Sequence, residues 1–158
     1  MAKILVTGGR GFIGTNLVNE LRSRCHDVWT VDILQGEDPQ HIKADTGEYQ
    51  QMDDVFRKHK YDYVYHLAAE YGRWNGEDHY ANLWKTNVIG TKNMLRLQEI
   101  YRFRMIFFSS AEVYGDYDQL MSEDVMDRIP IKQMNDYAIS KWAGELQCIN
   151  SAIMFGTE

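Results

Sequence analysis

Apolar residues along the chain come in two alternating rhythms. Short continuous runs, KILVT (3–7), DVWTVD (27–32), YDYVYHLAA (61–69) and RMIFFSS (104–110), read as strands, and HIKAD (41–45) reads as a weaker one. Between them lie stretches with helical spacing. Residues 12–24 place Ile13, Leu17 and Leu21 on one face, and 48–59 is the next helix. A long helix runs from His79 to Tyr101 with Trp84, Val88, Thr91 and Leu95 along one side. A last helix runs from Asp136 to about Met154, with Gly156 as its end signal. The run 104–110 is continuous in apolar residues, as in a parallel strand covered on both faces. This alternation predicts an α/β fold, a doubly wound parallel sheet with right-handed crossovers and helices on both faces. Two stretches lack a clear period, 70–80 and the long acidic 115–136. Loops of that length usually serve a site, and both follow strands, at the edge where open α/β sheets bind ligands.

Composition narrows the function. The 158 residues suffice for one domain with a core. A net charge of −6 argues against a general nucleic-acid binder. No apolar run approaches the ~20 residues of a membrane span, and the start, MAKILVTGG, lacks the layout of a secretion signal. Cys25 and Cys148 are far apart and in no CxxC or Cys/His spacing, so they read as reduced thiols of a cytoplasmic protein with no metal site.

Gly8, Gly11 and Gly14 stand three apart where the first strand gives way to the first helix. Gly8 lets the chain turn sharply, Gly11 has no Cβ to block a pyrophosphate, and Gly14 lets the helix pack closely on the sheet. The helix then offers its free N–H groups to phosphate. Asp32 closes the second strand, where a carboxylate accepts hydrogen bonds from the adenosine ribose and repels a 2′-phosphate. Arg10 could pair with such a phosphate, but Asp32 carries more weight, and the expected cofactor is NAD. In YAISK, Tyr137 and Lys141 form an i, i+4 pair. An ammonium near the phenol favours the phenolate, a base suited to proton transfer at a hydroxyl or carbonyl. Ser109 and Ser110 end the fifth strand on the edge that carries the glycines.

These pieces resemble the N-terminal half of the extended short-chain dehydrogenase/reductases, the nucleotide-sugar epimerase/dehydratase family. The matching segments are TGGRGFIG (7–14), Asp32, Asp45 after Ala44, HLAA (66–69), NVIGT (87–91), SSAEVYG (109–115) and YAISK (137–141), in family order. The resemblance implies a Rossmann-type fold that binds NAD and acts on a nucleotide-diphosphate sugar, in a homodimer or larger homo-oligomer. It implies Tyr137 as base, Lys141 on the nicotinamide ribose, Ser110 as the hydroxyl partner and Glu112 as a further catalytic acid or base. It places the cofactor against Gly8, Gly11, Phe12, Ile13, Gly14, Asp32, Asp45, Ala68, Ala69, Tyr137 and Lys141, and gives Asn87 a structural hydrogen bond.

The departures bear on the reaction. The sugar 4,6-dehydratases carry Thr-Asp-Glu-Val-Tyr-Gly where this chain has Ser110-Ala111-Glu112-Val113-Tyr114-Gly115. Ala111 removes the acid of water loss and speaks against a standard 4,6-dehydratase. Decarboxylases of UDP-glucuronate resemble the chain more closely, and 4-epimerases usually lack the Glu. Glu112 also reads as a merely exposed carboxylate. Glu70 again resembles the dehydratases, whereas Tyr71 does not. Arg73, Arg128 and Lys132 are candidates for the sugar-nucleotide diphosphate, and each also reads as a solvated surface charge. Family members run to roughly twice this length. Residues 1–158 are therefore expected to be an NAD-binding domain without the family's C-terminal substrate part, leaving a sheet edge and helix faces uncovered. The alternative is a non-catalytic NAD-binding module or an inactive fragment.

Overall fold

β1 (Lys3–Thr7) takes the middle of the sheet because it is apolar toward both layers: Ile4, Leu5 and Val6 are at most 2 % exposed. The computed structural model describes residues 1–72 and 77–158. β1 pairs in parallel with β2 (Asp27–Asp32), Leu5 opposite Trp29, and with β4 (Tyr63–His66), Leu5 opposite Val64. β3 (His41–Lys43) lies outside β2, and β5 (Arg104–Phe107) outside β4. The order is β3-β2-β1-β4-β5, all parallel, so the loops that follow the strands open on one edge.

The alternation along β1 feeds two cores. Ile4 and Val6 meet Val18 and Leu21 of α1 (Phe12–Ser23). Leu5 faces the other layer with Met52, Val55 and Phe56 of α2 (Tyr49–Lys58) and Met94 and Leu97 of α4 (Thr91–Tyr101). Phe56 stacks on Phe103 at 4.8 Å between ring centroids. A short α3 (Tyr80–Leu83) precedes α4, and α5 (Val125–Arg128) is a single turn. α6 (Asp136–Phe155) packs beside α4 over β5, where a Cβ on Gly144 would stand 2.5 Å from the Phe107 ring. Gly156 ends α6 at φ 62°, as its place in the sequence predicts.

Several elements differ from the sequence reading. The strands expected over 61–69 and 104–110 stop at His66 and Phe107, because the chain peels off the ladder after the bonds from the Leu67 and Phe108 amides to the Thr7 and His66 carbonyls. β5 is half-buried rather than covered, since it lies at the sheet edge. α1 buries Gly14, Val18 and Leu21, while Ile13 is exposed beside the glycine turn. The helix expected over 79–101 is interrupted by a π-helical stretch, Trp84–Gly90. Its wider turn moves the buried stripe from Trp84 and Val88 to Leu83, Asn87, Thr91 and Met94. Within 115–136, α5 buries Val125 completely.

Candidate active site on the carboxyl edge of the sheet

The turn after β1 is shaped by close approaches. Gly8 has φ +67°, and a Cβ there would stand 2.8 Å from the Ala68 amide nitrogen, in the loop that follows β4. A Cβ on Gly14 would lie 2.2 Å from the Gly8 carbonyl oxygen, so glycine lets α1 begin directly against the turn. Gly11 differs: a Cβ there meets only the Gly8 oxygen, at 3.3 Å, and otherwise faces open space. Gly11 is the N-cap of α1 and brings no side-chain cap, so the first amides of the helix are open to an anion. Phe12 and Ile13 flank this opening, 89 % and 57 % exposed.

Two carboxylates follow along the same edge. Asp32 accepts hydrogen bonds from the Arg10 amide (3.0 Å) and the Leu34 amide (3.1 Å), which joins the end of β2 to the glycine turn. The Arg10 guanidinium lies on the loop after β2, where a Cβ on Gly36 would stand 2.6 Å from its Nη1. Asp45 accepts from the Gly47 amide (2.8 Å) and pairs with Lys85 Nζ (2.9 Å). Lys85 also reaches Glu48 at 2.7 Å, and these two carboxylates, Glu48 first, raise its ammonium above the usual lysine range. Ala68 and Ala69 are half-buried just past β4.

A 3₁₀ turn, Ala111–Tyr114, follows β5 and is capped by the Ser110 hydroxyl, which accepts from the Glu112 amide at 3.2 Å. Tyr137 stands on the first turn of α6, which Asn135 joins to this 3₁₀ turn by donating to the Glu112 carboxylate at 2.8 Å. The chain thus brings Ser110, Glu112 and Tyr137 together on the edge that holds the glycines. Burial pushes the Tyr137 phenol up, the nearby Glu112 carboxylate adds to this, and the Ser110 hydroxyl works the other way. Lys141 is 4 % exposed. Its Nζ donates to the Phe108 carbonyl (2.7 Å), 5.0 Å from the Phe107 ring centroid, and burial lowers it to about 8. In this geometry the Lys141 ammonium is held by a main-chain oxygen, and burial is the first cause of the Tyr137 shift.

Beneath the edge runs a buried polar chain that the sequence reading found only at Asn87. The Thr91 hydroxyl donates to the Asn87 carbonyl (2.6 Å), so its oxygen accepts from His66 Nε2 (3.2 Å). His66 Nδ1 is then an acceptor, and the Thr7 hydroxyl donates to it (2.8 Å) while accepting from the Ala68 amide (3.2 Å). Asn87 exchanges hydrogen bonds with the main chain of Glu70 and donates to Ser140 on α6, whose hydroxyl donates to the Tyr137 carbonyl. Burial holds His66 neutral, its pKa lowered to about 3, with the Lys141 charge adding to the effect. The signal in the sequence was polar residues inside apolar runs: Thr7 and His66 each close a strand. Of the diphosphate candidates, Arg128 is tied to Asp124 (2.9 Å) and Ser122 beside α5, Lys132 is exposed near the neck of the 115–136 loop, and Arg73 lies outside the described residues. Among the described residues no three or more His, Cys, Asp or Glu side chains are grouped to hold a metal ion, and no helix is long and apolar enough to cross a membrane.

Comparison with known proteins gives a consistent result. The UDP-N-acetyl-alpha-D-glucosaminuronate decarboxylase of Bacillus cytotoxicus is 34 % identical over 164 residues, covering 96 % of this chain and 50 % of that protein. The UDP-glucose 4-epimerase of Thermotoga maritima, solved with UDP-glucose, superposes with a TM-score of 0.86 at 28 % identity, over 98 % of this chain and 52 % of that one. MoeE5, solved in complex with UDP-glucuronic acid and NAD, matches with a TM-score of 0.84 at 29 % identity, over 95 % of this chain and 49 % of that one. The chain spans about half the length of these relatives. The family model for the NAD dependent epimerase/dehydratase family matches residues 4–158, and the chain belongs to that family.

Proposed function

We propose that the chain binds NAD along the carboxyl edge of its sheet and belongs to an enzyme that modifies a nucleotide-diphosphate sugar by transient oxidation at C4. The observation that carries this reading is that the turn of Ser110 and Glu112 after β5 and the start of the helix with Tyr137 are joined through Asn135, on the same edge as the open N-terminus of α1. The edge fits a dinucleotide. The space beside Gly11 that a Cβ would enter is where a pyrophosphate meets the amides of Phe12 and Ile13. Asp32 faces the adenosine ribose and disfavours a 2′-phosphate, Asp45 lies where the adenine amine arrives, and Ala68 and Ala69 leave room along the cofactor. Bound there, NAD supplies the hydride acceptor and donor.

The chain's own residues handle protons and position. Ser110 donates to the sugar C4 oxygen, and Tyr137 accepts the proton from that hydroxyl. A phenol pushed up by burial requires a nearby positive charge to act at neutral pH. Lys141, on the same helical face, supplies it when its ammonium leaves the Phe108 carbonyl for the nicotinamide ribose. Glu112 stands beside the pair, available to a proton on the carbon next to a 4-keto group. Glu112, which 4-epimerases usually lack, with Ala111 in place of an acid favours decarboxylation over standard 4,6-dehydration, and the decarboxylase among the relatives supports the same choice. Two free, distant thiols support a cytoplasmic location.

The test has two stages. Calorimetry with NAD on the folded chain is expected to show binding. Single-turnover absorbance of NADH, with a panel of UDP- and dTDP-sugars on the full-length protein, is expected to show a substrate-dependent signal abolished by Tyr137→Phe. Binding without that signal favours the non-catalytic module, and absence of both overturns the reading.

A further inference from the structure

Glu112 and Tyr137 lie 25 positions apart in the chain, yet hydrogen bonds through Asn135 join Glu112 to the first turn of the helix that carries Tyr137. The Ser110 hydroxyl accepts from the Glu112 amide at 3.2 Å. The Glu112 carboxylate accepts from Asn135 Nδ2 at 2.8 Å, and Asn135 Oδ1 accepts from the Ala138 amide at 2.8 Å as the N-cap of α6. The cap fixes which way the carboxamide points: its oxygen is spent on the helix, so only its NH₂ can face Glu112. The flanking chain is pinned as well. Gln133 Nε2 donates to the Val113 carbonyl at 2.9 Å. Asp116 and Lys132 exchange bonds, the Asp116 amide to the Lys132 carbonyl (3.1 Å) and the Lys132 amide to the Asp116 carboxylate (3.0 Å). Gly115 sits at φ +53°, with space for no Cβ, which would meet the Lys132 carbonyl at 2.1 Å.

We propose that Asn135 is a positioning residue: its carboxamide ties the Glu112 carboxylate to the N-terminus of the helix that carries Tyr137, and so fixes the acid at the mouth of the Ser110–Tyr137 pair. This deepens the functional reading above and rests on it for its purpose, though not for its geometry. A carboxylate on an exposed 3₁₀ turn has several rotamers, and a proton acceptor serves only when held within hydrogen-bond reach of its target. Asn135 holds one oxygen, Oε2, and leaves the other directed by that constraint. It does so with a neutral donor, which brings no positive charge to the carboxylate. A serine or threonine at position 135 would cap the helix equally well but would be too short to reach Glu112.

The experiment uses the chain itself, without cofactor. Tyrosine carrying ¹³C at Cζ is titrated by NMR, and the Tyr137 signal is identified by its loss in Tyr137→Phe. Asn135→Ser keeps the cap and frees Glu112, so the Tyr137 titration midpoint is expected to fall. Asn135→Asp keeps the cap and adds a second negative charge, so the midpoint is expected to rise. In a Glu112→Gln background, Asn135→Ser is expected to cause no further shift. The charged groups on the neighbouring elements, Lys141 and Asp136 on α6 and Asp116 and Lys132 at the loop neck, are unchanged in all variants. An unmoved midpoint in Asn135→Ser, an unmoved or lowered one in Asn135→Asp, or an equal fall with and without Glu112 overturns the proposal. Failure of the chain to bind NAD would overturn the functional reading and leave this titration standing, which separates the two.

Discussion

The three glycines of the first turn make separable demands, and substitution by alanine distinguishes them. At Gly14 the added methyl meets a carbonyl oxygen at 2.2 Å, and main chain must move. Gly14→Ala is expected to cost about 2 kcal/mol or more, read from urea unfolding. At Gly11 the backbone has φ −70°, which any residue adopts, and the methyl meets one oxygen at 3.3 Å. Gly11→Ala is expected to keep stability within about 0.5 kcal/mol and to weaken NAD binding by more than about tenfold, read by calorimetry. Equal losses of stability in both variants would show that Gly11 serves the turn alone. At this scale the sequence was informative where the chemistry is local. Gly8 and Gly14 each make the close backbone approach that the glycine spacing implies. It was silent where a partner comes from far away: Lys85 reaches Asp45 across 40 residues, and Lys141 reaches the Phe108 carbonyl across 33. No spacing rule announces such pairs, and the second of them ties the Lys141 ammonium to a main-chain oxygen.

Elements that carry the site are held together by the buried polar chain from Thr7 on β1 through His66 on β4 to Thr91 and Asn87, and on to Ser140 on α6. The π-helical stretch before α4 belongs to it, because it brings both Asn87 and Thr91 to the buried side. Periodicity located that helix but misplaced its buried stripe, since a regular 3.6-residue repeat cannot report a wider turn. The strands were visible as apolar runs, yet their ends were not, because apolar residues such as Phe108, or Leu67, Ala68 and Ala69, continue after the chain leaves the ladder. His66 gives the chain of bonds a pH signature. Its folded pKa, about 3, lies below the ordinary 6.5, so between these values the unfolded chain binds the extra proton. Stability from this group is complete above pH 6.5 and is lost as pH falls toward 3, at a slope approaching about 1.4 kcal/mol per pH unit. His66→Gln, which cannot charge, is expected to be less stable at pH 7 and to show a shallower decline in acid than the parent. Parallel acid profiles for the two proteins would mean that His66 is not neutral in the fold.

At the scale of the molecule, the two layers are unequally dressed. α2, α4 and α6 share one face of the sheet, and α1 covers β1 and β2 on the other. On that second face Tyr63, Tyr65, Ile106 and Phe108 of β4, β5 and the following turn remain half-exposed. The outer side of α6 is apolar as well, with Leu146, Ile149 and Ile153 at 48 %, 53 % and 77 % exposure in a helical stripe. A chain that leaves such surfaces open lowers its free energy by covering them, and in a solution of one protein the available cover is a second copy. Sedimentation velocity is expected to show association that grows with concentration. Leu146→Lys with Ile149→Lys is expected to reduce it without lowering the melting temperature, because neither side chain is part of either core. If the double variant associates as the parent does, α6 is not the contact, and the half-exposed sheet face becomes the surface to vary, beginning with Ile106→Lys. A parent chain that stays monomeric as its concentration rises would mean that these apolar surfaces are tolerated in water as they stand, and the expectation of a homo-oligomer would fail with it.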